Sequence, residues 1–191
     1  LDAFCQTRIF GPLGMRDTAF GPLRPAPRVV PSGAAEIGQI EDEQARCAGR
    51  PVGNAGLFST AGDLARFCEM MLGAGRLDDV HILSPESHRH MTRNQLGPSL
   101  TPHGFGWEMD LQSLHRPRRL SEKAYGHSGY TGQSIWIDPE KQVYVIVLTN
   151  RNHPRMVDGE RKTQQYQARA RIGDAALEFL ESEGQLPREL P

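Results

Sequence analysis

Leu64, Phe67, Cys68, Met71 and Leu72 recur at the i, i+3, i+4, i+7 spacing that gathers apolar side chains on one face of a helix. Thr60 and Asp63 open this helix as a capping-box-like pair in which an acid replaces the usual Glu or Gln, and Gly73 and Gly75 close it. Leu1, Phe4, Cys5 and Ile9 show the same spacing and predict the tail of a helix begun upstream, stopping at Gly11-Pro12, where proline cannot continue it. Ser84-Pro85-Glu86 supplies an N-cap with proline at the first helical position and predicts a shorter helix running toward Arg93.

Between Gly21 and Gly53 prolines and glycines recur without a period, which predicts a long irregular excursion over the surface. From Tyr125 to Asn150 β-branched and aromatic residues dominate, and Asp138-Pro139-Glu140-Lys141 reads as the turn of a hairpin. In its second strand Val143, Val145 and Val147 point one way and Tyr144, Ile146 and Leu148 the other, so both faces need cover. The last helix is expected to provide part of it, with Tyr166, Ala170, Gly173, Leu177 and Leu180 on one side and small residues that permit close approach. The pattern is that of an α/β chain of the α+β type, an antiparallel sheet flanked by helices, within one domain spanning residues 1–191.

Charge narrows the function classes. With 22 basic and 23 acidic residues the formal charge is −1, which leaves no electrostatic footprint for nucleic acid or an anionic membrane. The longest apolar runs, such as Val143 to Leu148, fall far short of the ~20 residues a membrane-spanning helix needs. The three cysteines, Cys5, Cys47 and Cys68, fit neither a disulfide framework nor a zinc site and read as free thiols, Cys5 and Cys68 buried. His88 and His90 are two apart on a helix and face different directions, so no metal is expected there. The basic stretch His115-Arg116-Pro117-Arg118-Arg119 reads as a solvated loop rather than an anion site.

The chemistry-bearing candidate is His127-Ser128-Gly129 at the end of an extended run, followed by Tyr130-Thr131-Gly132. A polar triplet at a strand end, with glycines allowing close backbone approach, can present side-chain donors and a main-chain amide to a substrate carbonyl. A satisfied turn is the alternative for the triplet taken alone. Its surroundings decide: Tyr125 to Gly132, continuing Ser134-Ile135-Trp136-Ile137-Asp138-Pro139, resembles the third active-site motif of the β-lactamase-related serine hydrolases, in which Lys or His precedes Thr or Ser and Gly. Ile9 to Thr18, Asn54 to Phe67 and Leu148 to Pro154 agree with that family in order, so the resemblance covers most of the chain.

The resemblance implies a β-lactamase/transpeptidase-like fold and hydrolysis of an ester, a D-amino-acid peptide or a related amide such as a β-lactam through an acyl-enzyme, with no cofactor. It assigns one of two oxyanion donors to the amide of Tyr130, a hydrogen bond to substrate or the proton-transfer network to Ser128, and room for the acyl group to Gly129. His127 stands where true β-lactamases carry a lysine, as in the esterases and peptidases of the family. Histidine does not present the fixed ammonium of lysine at pH 7, which implies poor β-lactam turnover. Asn54 and Ala55 resemble a pocket wall and Asn152 a pocket border, with plain loop packing the alternative for all three.

Two motifs of the family are missing. The residues three before Lys123, Lys141 and Lys162 are Leu120, Asp138 and Gly159, so there is no Ser-x-x-Lys, and no Tyr-x-Asn or Ser-x-Asn precedes any asparagine. The expectation is therefore the C-terminal portion of a single hydrolase domain, incomplete at the N-terminus and inactive alone, whose partners are an acyl substrate and the missing N-terminal segment. An unpaired strand edge also predicts self-association. A truncated peptide-binding or partner-binding member of the same fold is the rival reading. The family implies a periplasmic or secreted bacterial setting, which a chain opening at Leu1 does not itself fix.

Overall fold

The computed structural model describes residues 1–33, 35–153 and 160–186. The N-terminal helix runs through α1 (Asp2–Cys5), a wider π turn (Gln6–Phe10) and α2 (Gly11–Leu13), and ends at Gly14, whose φ of +67° is left-handed. It therefore continues past Gly11-Pro12, contrary to the sequence expectation. The amide of Gly11 reaches back five residues to the Gln6 carbonyl, and this wider turn accommodates a proline that has no N–H to offer. The buried side also differs from the expected stripe: Cys5, Phe10 and Leu13 are inside while Leu1 and Phe4 are exposed.

Strands β1 (Ala19–Phe20) and β2 (Leu57–Phe58) pair antiparallel and bring together the ends of the irregular excursion. Within it lies one short helix that the periodicity does not announce, α3 (Glu43–Cys47), N-capped by Asp42 at 2.7 Å from the amide of Ala45. Helix α4 (Ala61–Leu72) starts where expected, with Thr60 Oγ1 accepting from the Asp63 amide at 3.2 Å. The capping box is only half made. The Asp63 carboxylate turns instead to the Asp17 amide at 2.8 Å and the Thr18 hydroxyl at 2.7 Å, tying α4 to the segment after α2. A small hairpin, β3 (Arg76–Leu77) with β4 (Val80–His81), leads to α5 (Pro85–Met91), which Ser84 caps and which ends two residues short of Arg93.

The main sheet is β5 (Tyr125–Ser128), β6 (Ser134–Asp138) and β7 (Val143–Val147), antiparallel in the order β5-β6-β7. Its two faces carry separate cores, as the alternation in β7 requires. Tyr125 and Ile137, flanked by Tyr144 and Ile146, pack with Cys68 and Met71 of α4. Trp136, Val145 and Val147 pack on the other face with Leu177 of α6 (Glu160–Ser182). Gly173 lets α6 come close: a Cβ there would lie 2.5 Å from Pro117 and 3.2 Å from Val145. Burial pushes the Cys68 thiol up to about 12, so it stays a protonated, inert core group.

The stretch 115–119 is not a solvated loop. Arg116 is buried and donates to the carbonyls of Pro117, Leu120 and Ser121, and Arg119 pairs with Glu181 at 2.7 Å on α6. An arginine can be buried when its fork meets enough backbone oxygens, and the strand lead-in supplies them. Along β7 the edge away from β6 has no strand neighbour among the described residues. No helix of the described residues is long and apolar enough to cross a membrane.

Candidate active site

The β5–β6 ladder ends at the pair Ser128↔Ser134, so His127 and Ser128 are the last ladder residues and Gly129 to Gly132 form the turn beyond it. The Gly132 amide donates to the Gly129 carbonyl at 3.1 Å, closing a β-turn with Tyr130 and Thr131 at its tip. Gly126 fixes the strand beneath, because a Cβ there would sit 2.3 Å from the Ile135 carbonyl and 2.4 Å from the Trp136 ring. At Gly129 a Cβ would meet the flexible end of Gln133 at 2.7 Å, so this glycine accommodates that amide side chain as well as the backbone path.

The sequence triplet is thus placed at an open strand end. His127 and Tyr130 are exposed and Ser128 is half-buried. His127 Nδ1 lies 3.0 Å from the Ser128 carbonyl, and its ring stands perpendicular to that of His103 with centroids 6.1 Å apart. His103 was not singled out by the sequence. It is brought alongside by an antiparallel bridge to Glu108, which in turn bridges Gly126 on the outer edge of β5.

Every carbonyl from Gly129 to Gln133 is engaged. Gly129 O accepts from the Gly132 amide and, at 3.3 Å, from Arg169 Nη1; Tyr130 O accepts from Arg151 Nε at 2.5 Å; Thr131 O accepts from the Arg151 amide at 2.8 Å. Gly132 O accepts from Thr149 Oγ1 at 2.5 Å, and Gln133 O from the Gly129 amide at 2.7 Å and Arg169 Nη1 at 2.6 Å. Arg151 and Arg169 are both buried, and both stack on the Tyr166 ring of α6, at 5.2 and 5.1 Å; Arg151 also covers Tyr130 at 4.7 Å.

The other expected site residues fall elsewhere. Asn54 is exposed and Ala55 half-buried in the loop before β2, and among the described residues neither hydrogen-bonds to the turn. Asn152, expected at a pocket border, is fully buried, and among the described residues neither its Nδ2 nor its Oδ1 has a hydrogen-bond partner. Pro154, the last residue of the final family-like block, lies outside the described residues. The buried Arg151 and Arg169 escaped sequence reasoning because nothing in the local pattern distinguishes a carbonyl-binding arginine from a solvated one.

His115 completes the underside. Its Nδ1 faces Arg169 Nη2 at 2.9 Å and its ring packs edge-on to Tyr166 with centroids 4.4 Å apart. Burial, then Arg169, His127 and Arg151, hold its pKa down at about 4. The ring is therefore neutral at pH 7 and Nδ1 accepts from the arginine. Because the unfolded chain binds this proton near pH 6.5 and the folded chain only near 4, stability is full above the first value and falls as pH drops toward the second. Urea midpoints measured from pH 7 to pH 4 are expected to decline, and His115→Phe is expected to reduce that slope. Part of the slope remains through His88, whose pKa burial also lowers.

The family model described as Beta-lactamase matches residues 1–170. Among relatives, a protein of Escherichia coli strain K12 described as "Putative D-alanyl-D-alanine carboxypeptidase" is 27% identical over 192 aligned positions, covering 88% of this chain and 44% of its own length. The chain thus spans less than half the length of the curated relatives it matches. A β-lactamase structure from Mycobacterium bovis superposes with a TM-score of 0.58 at 20% identity, covering 92% of this chain and 56% of that one. Simvastatin synthase from Aspergillus terreus, in a mutant form, gives 0.62 at 17% identity, covering 92% and 49%. These likenesses establish the fold: antiparallel sheet and helices in the arrangement of β-lactamases and penicillin-binding proteins.

Proposed function

Because the chain belongs to the beta-lactamase family, we propose that it supplies the carbonyl-binding side of a serine hydrolase whose nucleophile lies in a segment outside these 191 residues. The observation that carries the reading is the position of Tyr130 one residue past the strand-end triplet, in a turn whose carbonyls are all tied down.

In this reading a serine hydroxyl from the outside segment attacks the carbonyl carbon of an ester or amide while a neighbouring base takes its proton. The carbonyl oxygen becomes an oxyanion, held by the Tyr130 amide and the amide of that serine. The C–O or C–N bond then breaks, the leaving group takes a proton, and water releases the acyl group from the serine. His127 and Ser128 face the substrate at the end of β5, and Gly129 leaves room for the acyl group. The carboxypeptidase description of the relatives supports a D-amino-acid peptide as substrate class. The outer edge of β7 is where the outside segment adds a strand; a penicillin-binding protein homologue from Pyrococcus abyssi described as octameric supports self-association as its other use.

The test is covalent labelling with a fluorophosphonate probe, read by intact mass. The 191 residues alone are expected to take no adduct, whereas a polypeptide extended upstream to include a Ser-x-x-Lys takes one. An adduct on the short chain, or none on the extended one, overturns the proposal.

A further inference from the structure

We infer that Arg169 is a positioning residue for the oxyanion amide: from helix α6 it clamps the mouth of the 129–132 turn and so fixes the direction in which the Tyr130 N–H points. The inference rests on the hydrolase reading only for its catalytic consequence.

A trans peptide is planar, with its C=O and N–H pointing in opposite directions. The N–H of Tyr130 belongs to the same peptide unit as the carbonyl of Gly129, so whatever holds that oxygen sets the heading of that hydrogen. Two donors hold it, the Gly132 amide at 3.1 Å and Arg169 Nη1 at 3.3 Å. The same Nη1 binds the Gln133 carbonyl more closely, at 2.6 Å, so a single cationic nitrogen spans the two ends of the turn. Nη2 is held in turn by His115 at 2.9 Å, which orients the whole fork. The Tyr130 hydrogen is thereby aimed away from α6.

Burial of the guanidinium argues for more than packing. Arg169 is 2% exposed, and among the described residues no carboxylate lies within ion-pair distance of it. Burying a cation is costly unless its hydrogen bonds offset the lost water, and here Nη1 is committed to the two ends of one turn while Nη2 goes to His115. A positive charge on the carbonyl side of a peptide also strengthens donation by its N–H, since chains of hydrogen bonds polarise one another. The site therefore gains a donor both aimed and strengthened before substrate arrives, which is the condition for stabilising charge that develops only in the transition state.

The deciding experiment uses the upstream-extended protein with a p-nitrophenyl ester, together with the amide ¹H–¹⁵N signal of Tyr130. Arg169→Met is expected to lower kcat by ~10-fold or more with KM nearly unchanged, and to shift the Tyr130 signal upfield. Arg169→Lys, which keeps the charge but not the fork, is expected to fall between the two; if the Met variant does not fold, the Lys variant decides by the same readouts. Asp63→Ala, which removes a buried acceptor from the Asp17 amide and the Thr18 hydroxyl away from the turn, should lower stability while leaving kcat and the signal in place. A Tyr130 signal and kcat unmoved by loss of Arg169, or moved equally by Asp63→Ala, overturns the inference. An extended wild type that cleaves no ester rejects the hydrolase reading instead, and the Tyr130 signal then still decides whether Arg169 orients the amide.

Discussion

Gly132→Ala is expected to destabilise the chain by about 3 kcal/mol and, in the upstream-extended protein, to reduce probe labelling by ~100-fold. Gly132 closes the turn with a φ of +120°, a region that side-chain-bearing residues rarely enter. A Cβ at that position would lie 2.6 Å from Thr149 Oγ1, 3.0 Å from the Thr149 carbonyl and 3.1 Å from the Arg151 amide. The hydroxyl can rotate, but the two backbone atoms cannot yield without moving the segment after β7. That segment holds the turn, through Thr149 Oγ1 on Gly132 O and the Arg151 amide on Thr131 O. Relief of the overlap therefore releases two of the five carbonyl anchors and lets the Tyr130 peptide rotate. Thermal unfolding of the 191 residues measures the first effect and the rate of fluorophosphonate labelling the second. An alanine variant with wild-type melting and labelling would show that the turn tolerates the change without losing its geometry.

What the sequence made legible was whatever is settled within a few residues. Thr60 before α4, Ser84-Pro85 before α5 and the alternation of β7 depend on local hydrogen bonds or on a period of two, and they appear in the structure where the pattern places them. The strand-end position of His127 and Ser128 was legible too, because the glycine-rich turn Gly129 to Gly132 follows directly on the short extended run that holds them. What escaped is settled by distant partners. Asp63 has the right spacing to complete a capping box, yet it bonds Asp17 and Thr18, which lie more than 40 residues earlier and compete successfully for the carboxylate. Arg116, Arg151 and Arg169 look like surface charges until the carbonyls they bind are brought to them by the sheet and by α6. The strand end is divided the same way: His127, Ser128 and the turn beyond them are written in one motif, and the side chains that tie that turn down are scattered over three segments.

The second large effect is expected from Asp138, which the sequence marked only as the first residue of a turn. Its side chain is completely buried, and its two oxygens accept from the Ser121 amide at 2.6 Å, the Ser121 hydroxyl at 2.7 Å and the amides of Glu140 and Lys141 at 3.0 Å each. One carboxylate thus does two jobs: it closes the β6–β7 turn and fastens the lead-in to β5 against it. The charge is tolerable in the interior because four donors surround it and the buried Arg116 guanidinium lies near enough to act on it. Asp138→Ala leaves those donors without an acceptor in a place water does not reach, and it removes the carboxylate that acts most strongly on the buried Arg116, leaving the weaker effects of Asp174 and Glu122. A loss of about 3–5 kcal/mol is expected, which is a large share of the stability of a domain this size. Asp138→Asn keeps the shape and two acceptor positions but presents an N–H₂ to groups that are themselves donors, so it should recover little. Because the lead-in carries His115 and the strand carries His127, the damage should reach the strand end: in Asp138→Ala the turn signals of Tyr130 and Gly132 are expected to broaden at denaturant concentrations where α4 remains protected from hydrogen exchange. Uniform loss of protection across both cores would instead assign Asp138 to the stability of the whole fold and not to the strand end in particular.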